Sequence, residues 1–120
     1  MVSNEFIEGN YPGMDVEELF KIYTGSTEGF VIFTFGSREI VYGRNNGSIN
    51  KLAPYRIKVE STLGAGDSFK AGAVYGLFKE MSDDGIVQFA VATAAAACSS
   101  FPLALNPPGL EKINALIEGL

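Results

Sequence analysis

Histidine and tryptophan are absent from this 120-residue chain, and cysteine occurs once, at Cys98. Without histidine there is no His-based catalytic triad and no histidine metal site. A lone cysteine closes no intramolecular disulfide, which is in keeping with a reducing compartment. Basic residues are few, 9 against 14 acidic ones, and the formal charge of −5 argues against an electrostatic grip on nucleic acid or an anionic membrane. Long apolar runs are missing too. The longest, residues 89–98, is alanine-rich, is interrupted by Thr93 and falls short of the ~20 residues of a membrane span. The first ten residues, MVSNEFIEGN, carry neither a basic region nor an apolar stretch, so no signal peptide is expected. These absences point to a cytoplasmic protein without nucleic-acid or membrane partners. What is present is 47% hydrophobic residues, enough for a core in one small domain.

The chain shows no internal repeat and no low-complexity tail. Residues 1–13 read as an irregular entry ending at Tyr11-Pro12-Gly13. Asp15 can cap a helix to about Tyr23, with Val16, Leu19, Phe20 and Tyr23 along one side. FVIFTF, residues 30–35, is apolar, β-branched and aromatic, as a buried strand should be. EIVYG, residues 39–43, reads as its hairpin partner, and a short strand is expected within residues 48–52 after the Asn45-Asn46-Gly47 turn. YRIKVE, residues 55–60, alternates like a half-buried strand. Helices follow: residues 67–81, thinned by Ala71, Gly72, Ala73 and Gly76; residues 84–99, capped by Ser82 or Asp83; and residues 109–118, after a loop held by Pro102, Pro107 and Pro108. Strands followed by helices, with a buried strand among them, suggest an α/β fold whose sheet belongs to a larger layered structure.

The chemistry concentrates in STLGAGDSF, residues 61–69. Gly64, Ala65 and Gly66 precede Asp67, and an apolar helix begins there. Small residues at a helix start bare its backbone N–H groups, which bind anions and carry the positive end of the helix dipole. A carboxylate beside such a site can accept a proton from an attacking hydroxyl. The alternative is a tight turn in which Asp67 only caps the helix. Two other phosphate motifs fail at this place. No glycine-lysine pair completes a Walker A loop, and Phe69 stands where the dinucleotide fingerprint needs its last glycine.

From Thr62 through Phe69 the chain resembles the C-terminal signature of the PfkB/ribokinase family of sugar kinases, in which Gly-Ala-Gly-Asp-(Ser/Thr)-Phe leads into a small-residue helix. VIFTFGS, residues 31–37, stands where the family has a strand ending in Thr-Leu-Gly, and FAVATAAAACSSF, residues 89–101, stands at its alanine-rich helix. The resemblance covers nearly the whole chain. It implies the C-terminal part of a ribokinase-like three-layer α/β/α fold, one partial domain over residues 1–120, and an ATP-dependent phosphotransferase acting on a sugar or sugar acid. It implies Asp67 as catalytic base and Gly64, Ala65 and Gly66 as an anion hole. Nucleotide contacts would come from Thr34, Gly36 and Val91, the last an apolar residue where relatives often carry Asn. The cofactors would be ATP and Mg2+. A non-catalytic nucleotide-binding module and a nucleoside kinase are the alternative readings. Lys70 reads as a surface lysine and Cys98 as a core residue.

The chain also departs from the family's pattern. Ser61 stands where the signature usually opens with an acid tied to a monovalent cation. The family's Asn-x-x-Glu motif finds no register, because Ile7 follows Asn4 by three residues and Phe6 follows Ser3. The family's sugar-binding N-terminal half and lid have no counterpart here. The surface meeting that half is therefore expected to be apolar and exposed, favouring self-association.

Overall fold

Alternate residues of a strand face opposite sides of its sheet, and in the segment after Phe30 one alternate set is entirely apolar: Val31, Phe33 and Phe35. A computed structural model describes residues 1–45, 47–103 and 105–119. In chain order its elements are β1 (Val2–Ser3), α1 (Asn4–Asn10), α2 (Val16–Gly25), β2 (Val31–Thr34), β3 (Ile40–Gly43), β4 (Asn50–Leu52), α3 (Ala65–Phe78), α4 (Asp83–Cys98) and α5 (Leu110–Ile117). The chain divides into two compact units, Met1–Ala53 and Pro54–Leu120.

The first unit is a mixed sheet in the order β1-β2-β3-β4. β1 runs parallel to β2, and β2–β3 and β3–β4 are antiparallel hairpin pairs. Thr34 pairs with Ile40, and the Phe35 N–H donates to the Glu39 carbonyl at 3.0 Å, closing the turn. Val31, Phe33 and Phe35 join Ile7, Leu19, Phe20 and Val41 in one apolar cluster. Phe33 is its centre, wholly buried, with the rings of Phe20 and Tyr23 edge-on at 5.2 and 5.3 Å. Asp15 caps α2 by accepting from the Glu18 N–H at 3.2 Å, a contact worth about 1 kcal/mol. The entry segment is not irregular. Ser3 ends β1 and caps α1 by accepting from the Phe6 N–H. With only Ile7 buried in its seven residues, α1 is too short to show a period in the sequence.

In the second unit α3 and α4 meet along a glycine stripe. A Cβ on Gly72 would lie 2.7 Å from the Thr93 hydroxyl and 2.9 Å from the Ala90 Cα, and one on Gly76 would lie 3.1 Å from the Ile86 Cα. Ser82 caps α4 by accepting from the Gly85 N–H. Tyr75 stacks on Phe89 at 4.8 Å, and Phe89, Ala92, Ala96 and Ile113 form a cluster that brings in α5. Cys98 is a core residue, and burial pushes its thiol pKa up. The strand expected over residues 55–60 does not form. Alternation makes a strand only where a neighbouring edge takes its hydrogen bonds, and no described strand pairs with this segment. Instead the N–H groups of Glu60 and Ser61 both donate to the Cys98 carbonyl, at 2.8 and 3.2 Å. Among the described residues, no helix is long and apolar enough to cross a membrane.

The glycine stripe yields a stability prediction. Alanine in place of helical glycine ordinarily gains about 0.5–1 kcal/mol. At Gly72 the contacts include backbone, which cannot swing aside, so Gly72→Ala should instead destabilise the second unit by about 1–3 kcal/mol. Chemical denaturation checks this, and an unchanged or raised midpoint would contradict the close approach.

Candidate functional site: the bend before helix α3

Helix α3 begins at Ala65, two residues ahead of the sequence expectation, so Ala65, Gly66 and Asp67 form its first turn. Gly64 is the N-cap, with φ +80 and ψ 4. The Ala65 N–H donates to the Thr62 carbonyl at 3.1 Å, and that bond with a left-handed third residue has the form of a type II turn. The Gly64 carbonyl accepts the first helical bond from Ser68 N–H at 2.9 Å, and the Leu63 N–H donates to the Ser61 hydroxyl at 3.2 Å. The N–H groups of Gly64, Gly66 and Asp67 have no acceptor among the described residues.

Elsewhere the chain closes such groups itself. In α2 and α4 the cap side chains of Asp15 and Ser82 take the N–H of the third helical residue. A glycine cap has no side chain to offer. Gly109 caps α5 without a side-chain bond as well, but at φ −91 and without the left-handed bend. At α3 the donors of a 14-residue helix therefore stay open where its dipole is positive.

Gly66 and Asp67 are exposed, and Gly64 and Ala65 are half-buried. A Cβ on Gly66 would meet nothing within 4 Å, whereas one on Gly64 would lie 2.9 Å from the Leu103 Cδ2. The Asp67 carboxylate does not cap its helix. Of the three residues expected to form an anion hole, Gly64 and Gly66 thus keep open donors, Ala65 spends its own on Thr62, and Asp67 contributes a third through its backbone. A helix starting at Asp67 would leave this donor out of the set; the start at Ala65 puts the Asp67 N–H in the first turn.

The remaining candidates lie apart in sequence. In the first unit Thr34 is half-buried at the end of β2, and Gly36 is exposed in the following turn at φ +61. In the second unit Val91 is only 3% exposed on α4. Asn4 and Glu8, one helical turn apart on α1, both engage Arg38: its Nη2 donates to Asn4 Oδ1 at 3.1 Å and lies 3.9 Å from Glu8 Oε1. The spacing of Asn4 and Glu8 is one residue longer than Asn-x-x-Glu, so the pair lies outside that pattern. No group of three or more metal-ligating side chains occurs among the described residues.

The model of the pfkB family of carbohydrate kinases matches residues 9–108. The chain belongs to this family. Among curated relatives, it is 26% identical over 110 residues to a ribokinase of Lactococcus lactis subsp. lactis, covering 92% of this chain and 35% of that protein. It is 36% identical over 95 residues to the 1-phosphofructokinase of Haemophilus influenzae, covering 74% of this chain and 30% of that protein. A crystal structure from E. coli described as a ribokinase II in complex with ATP and Mg2+ shares its fold. That structure has a TM-score of 0.85 at 19% identity, with 98% of this chain and 38% of the other covered. The chain thus spans about a third of the length of the curated pfkB relatives it matches, and the ribokinase-like α/β fold holds over nearly all of it.

The two glycines of the bend should respond in opposite ways. Gly64→Ala forces a side chain into the left-handed region and should destabilise the second unit by about 1–2 kcal/mol. Gly66→Ala, in open space on a helix, should stabilise it by about 0.5–1 kcal/mol. Paired denaturation curves check both signs, and equal effects would contradict the bend.

Proposed function

We propose that this chain is the nucleotide-binding, catalytic-loop portion of an ATP-dependent sugar kinase, which transfers the γ-phosphoryl of ATP to a hydroxyl of a sugar or sugar acid. The observation that carries the reading is the bend at Gly64: unaccepted N–H groups at the head of α3, with an exposed carboxylate in the same turn. Family membership over residues 9–108 supports the same class of reaction.

Phosphoryl transfer asks the protein mainly for positioning and charge stabilisation. In this reading the N–H groups of Gly64, Gly66 and Asp67 face the transferring phosphoryl group. Ala65 keeps the bend closed through its bond to Thr62, so that the donors are fixed before the ligand arrives. The absent Cβ of Gly66 lets a bulky anion approach the backbone. Asp67 accepts the proton of the attacking hydroxyl.

The donor set fits a polyphosphate and offers no acid cluster for a resident metal, so Mg2+ is proposed to arrive with the nucleotide, where it neutralises phosphate charge. Thr34 and Gly36 are the proposed nucleotide contacts on the first unit. Val91, buried on α4, is the proposed apolar neighbour of the adenine on the second unit. The sugar half and the lid are proposed to lie in the part of the relatives that this chain does not span, and the site of action is proposed to be the cytoplasm.

The test is ATP-dependent phosphorylation of a panel of sugars, sugar acids and nucleosides by the longest reading frame that contains these residues. Asp67→Asn should lower kcat by about 10²–10⁴-fold, the usual worth of a positioned acid–base group, and leave nucleotide affinity nearly unchanged. Turnover undiminished in Asp67→Asn would overturn the assignment of the base. Turnover on nucleosides alone would move the substrate class.

A further inference from the structure

The turn between β2 and β3 follows Thr34 and carries Gly36, and its own backbone bonds do not hold its tip. Thr34 pairs with Ser3, so the turn stands where two parallel strands, β1 and β2, both reach their carboxyl ends. Ligands of α/β sheets bind outside such ends. Two backbone bonds join the flanks of the turn: Phe35 N–H donates to the Glu39 carbonyl at 3.0 Å, and Arg38 N–H to the Phe35 carbonyl at 3.1 Å. At the tip, Gly36 and Ser37 are exposed, and their N–H groups find no acceptor among the described residues. Gly36 has φ +61, and a glycine leaves such a conformation as readily as it enters it. What orders the tip must therefore come from outside the turn.

The Arg38 side chain supplies such a tie. Asn4 and Glu8, four residues apart, share one side of α1. The Arg38 Nη2 donates to Asn4 Oδ1 at 3.1 Å and stands 3.9 Å from Glu8 Oε1. The same guanidinium lies over the Phe35 ring, 5.6 Å from its centroid. An amide oxygen, a carboxylate and a ring thus all engage one planar cation, which a more flexible, point-charged lysine would not match. The base of the tie is itself fixed. Ser3 caps the start of α1, and Ile7 and Phe35 are buried in the same core cluster.

We propose that Arg38 is a positioning residue, which clamps the turn after Thr34 onto the start of α1 in the form that nucleotide binding requires. The inference rests on the kinase reading, which makes Thr34 and Gly36 nucleotide contacts. Arg38 acts through the turn and not on the nucleotide, because Glu8 balances its charge and Asn4 takes its Nη2 donor. A turn ordered before the ligand arrives spares binding the cost of ordering it.

Calorimetric binding of ATP with Mg2+ to the intact chain tests it. Arg38→Ala and Asn4→Ala should each weaken binding by about three- to tenfold, with circular dichroism unchanged. The double variant should be no weaker than the worse single one, because both remove the same contact. Asn4→Asp keeps an acceptor oxygen and should restore the parent affinity. In the reading frame used for turnover, KM for ATP should rise in Arg38→Ala while kcat holds, a split that general loss of structure does not produce. Should Asn4→Ala fail to fold, Arg38→Lys decides. It keeps the charge without the planar fork and should bind nearly as weakly as Arg38→Ala. Variants that bind as tightly as the parent chain overturn the inference and leave the kinase reading standing. A loss in Arg38→Ala without one in Asn4→Ala, or affinity kept in Arg38→Lys, overturns it in favour of direct contact with the nucleotide. A parent chain that binds no ATP overturns the kinase reading, and the inference falls with it.

Discussion

A helix start always has more N–H groups than its own carbonyls can take, and in α3 the left-handed bend at Gly64 leaves that excess open. The cap residue decides the outcome. Asp15 and Ser82 close the starts of α2 and α4 with side-chain oxygens, and a similar oxygen at position 64 would occupy a donor that the proposed chemistry requires. A side chain there would also have to adopt φ +80. The same residue thus sets the direction of the chain and keeps the donors free.

Rigidity comes from the other side of the helix. Gly72 and Gly76 let α3 approach α4 to backbone contact, and backbone contacts do not yield as flexible side chains do. The Thr62–Ala65 bond ties the bend to the helix it precedes, and the bonds from Glu60 and Ser61 to Cys98 anchor the approach to the end of α4. The first turn of α3 is therefore held from before and from behind. The free-energy cost of arranging the donors falls on folding and not on ligand binding.

Much of this was legible from residue types. The hairpin of β2 and β3, the cap at Asp15 and the cap at Ser82 follow from local patterns, and STLGAGDSF pointed to the family and to Asp67. What was hidden depends on partners distant in sequence. The alternation of residues 55–60 is real, yet whether it becomes a strand depends on an available edge. The start of α3 at Ala65 depends on a turn hydrogen bond to Thr62 that residue types do not announce. That same bond removes Ala65 from the donor set, and the earlier start brings in the backbone N–H of Asp67. The α1 helix escaped notice because a single buried residue, Ile7, leaves no period.

Amide NMR during a titration with ATP and Mg2+ tests the central claim most directly. The account predicts that the N–H resonances of Gly64, Gly66 and Asp67 shift together and saturate, while that of Ala65, already donating to Thr62, moves least among the four. Nucleotide binding that leaves these three resonances in place, or a chain that binds no nucleotide, would contradict it.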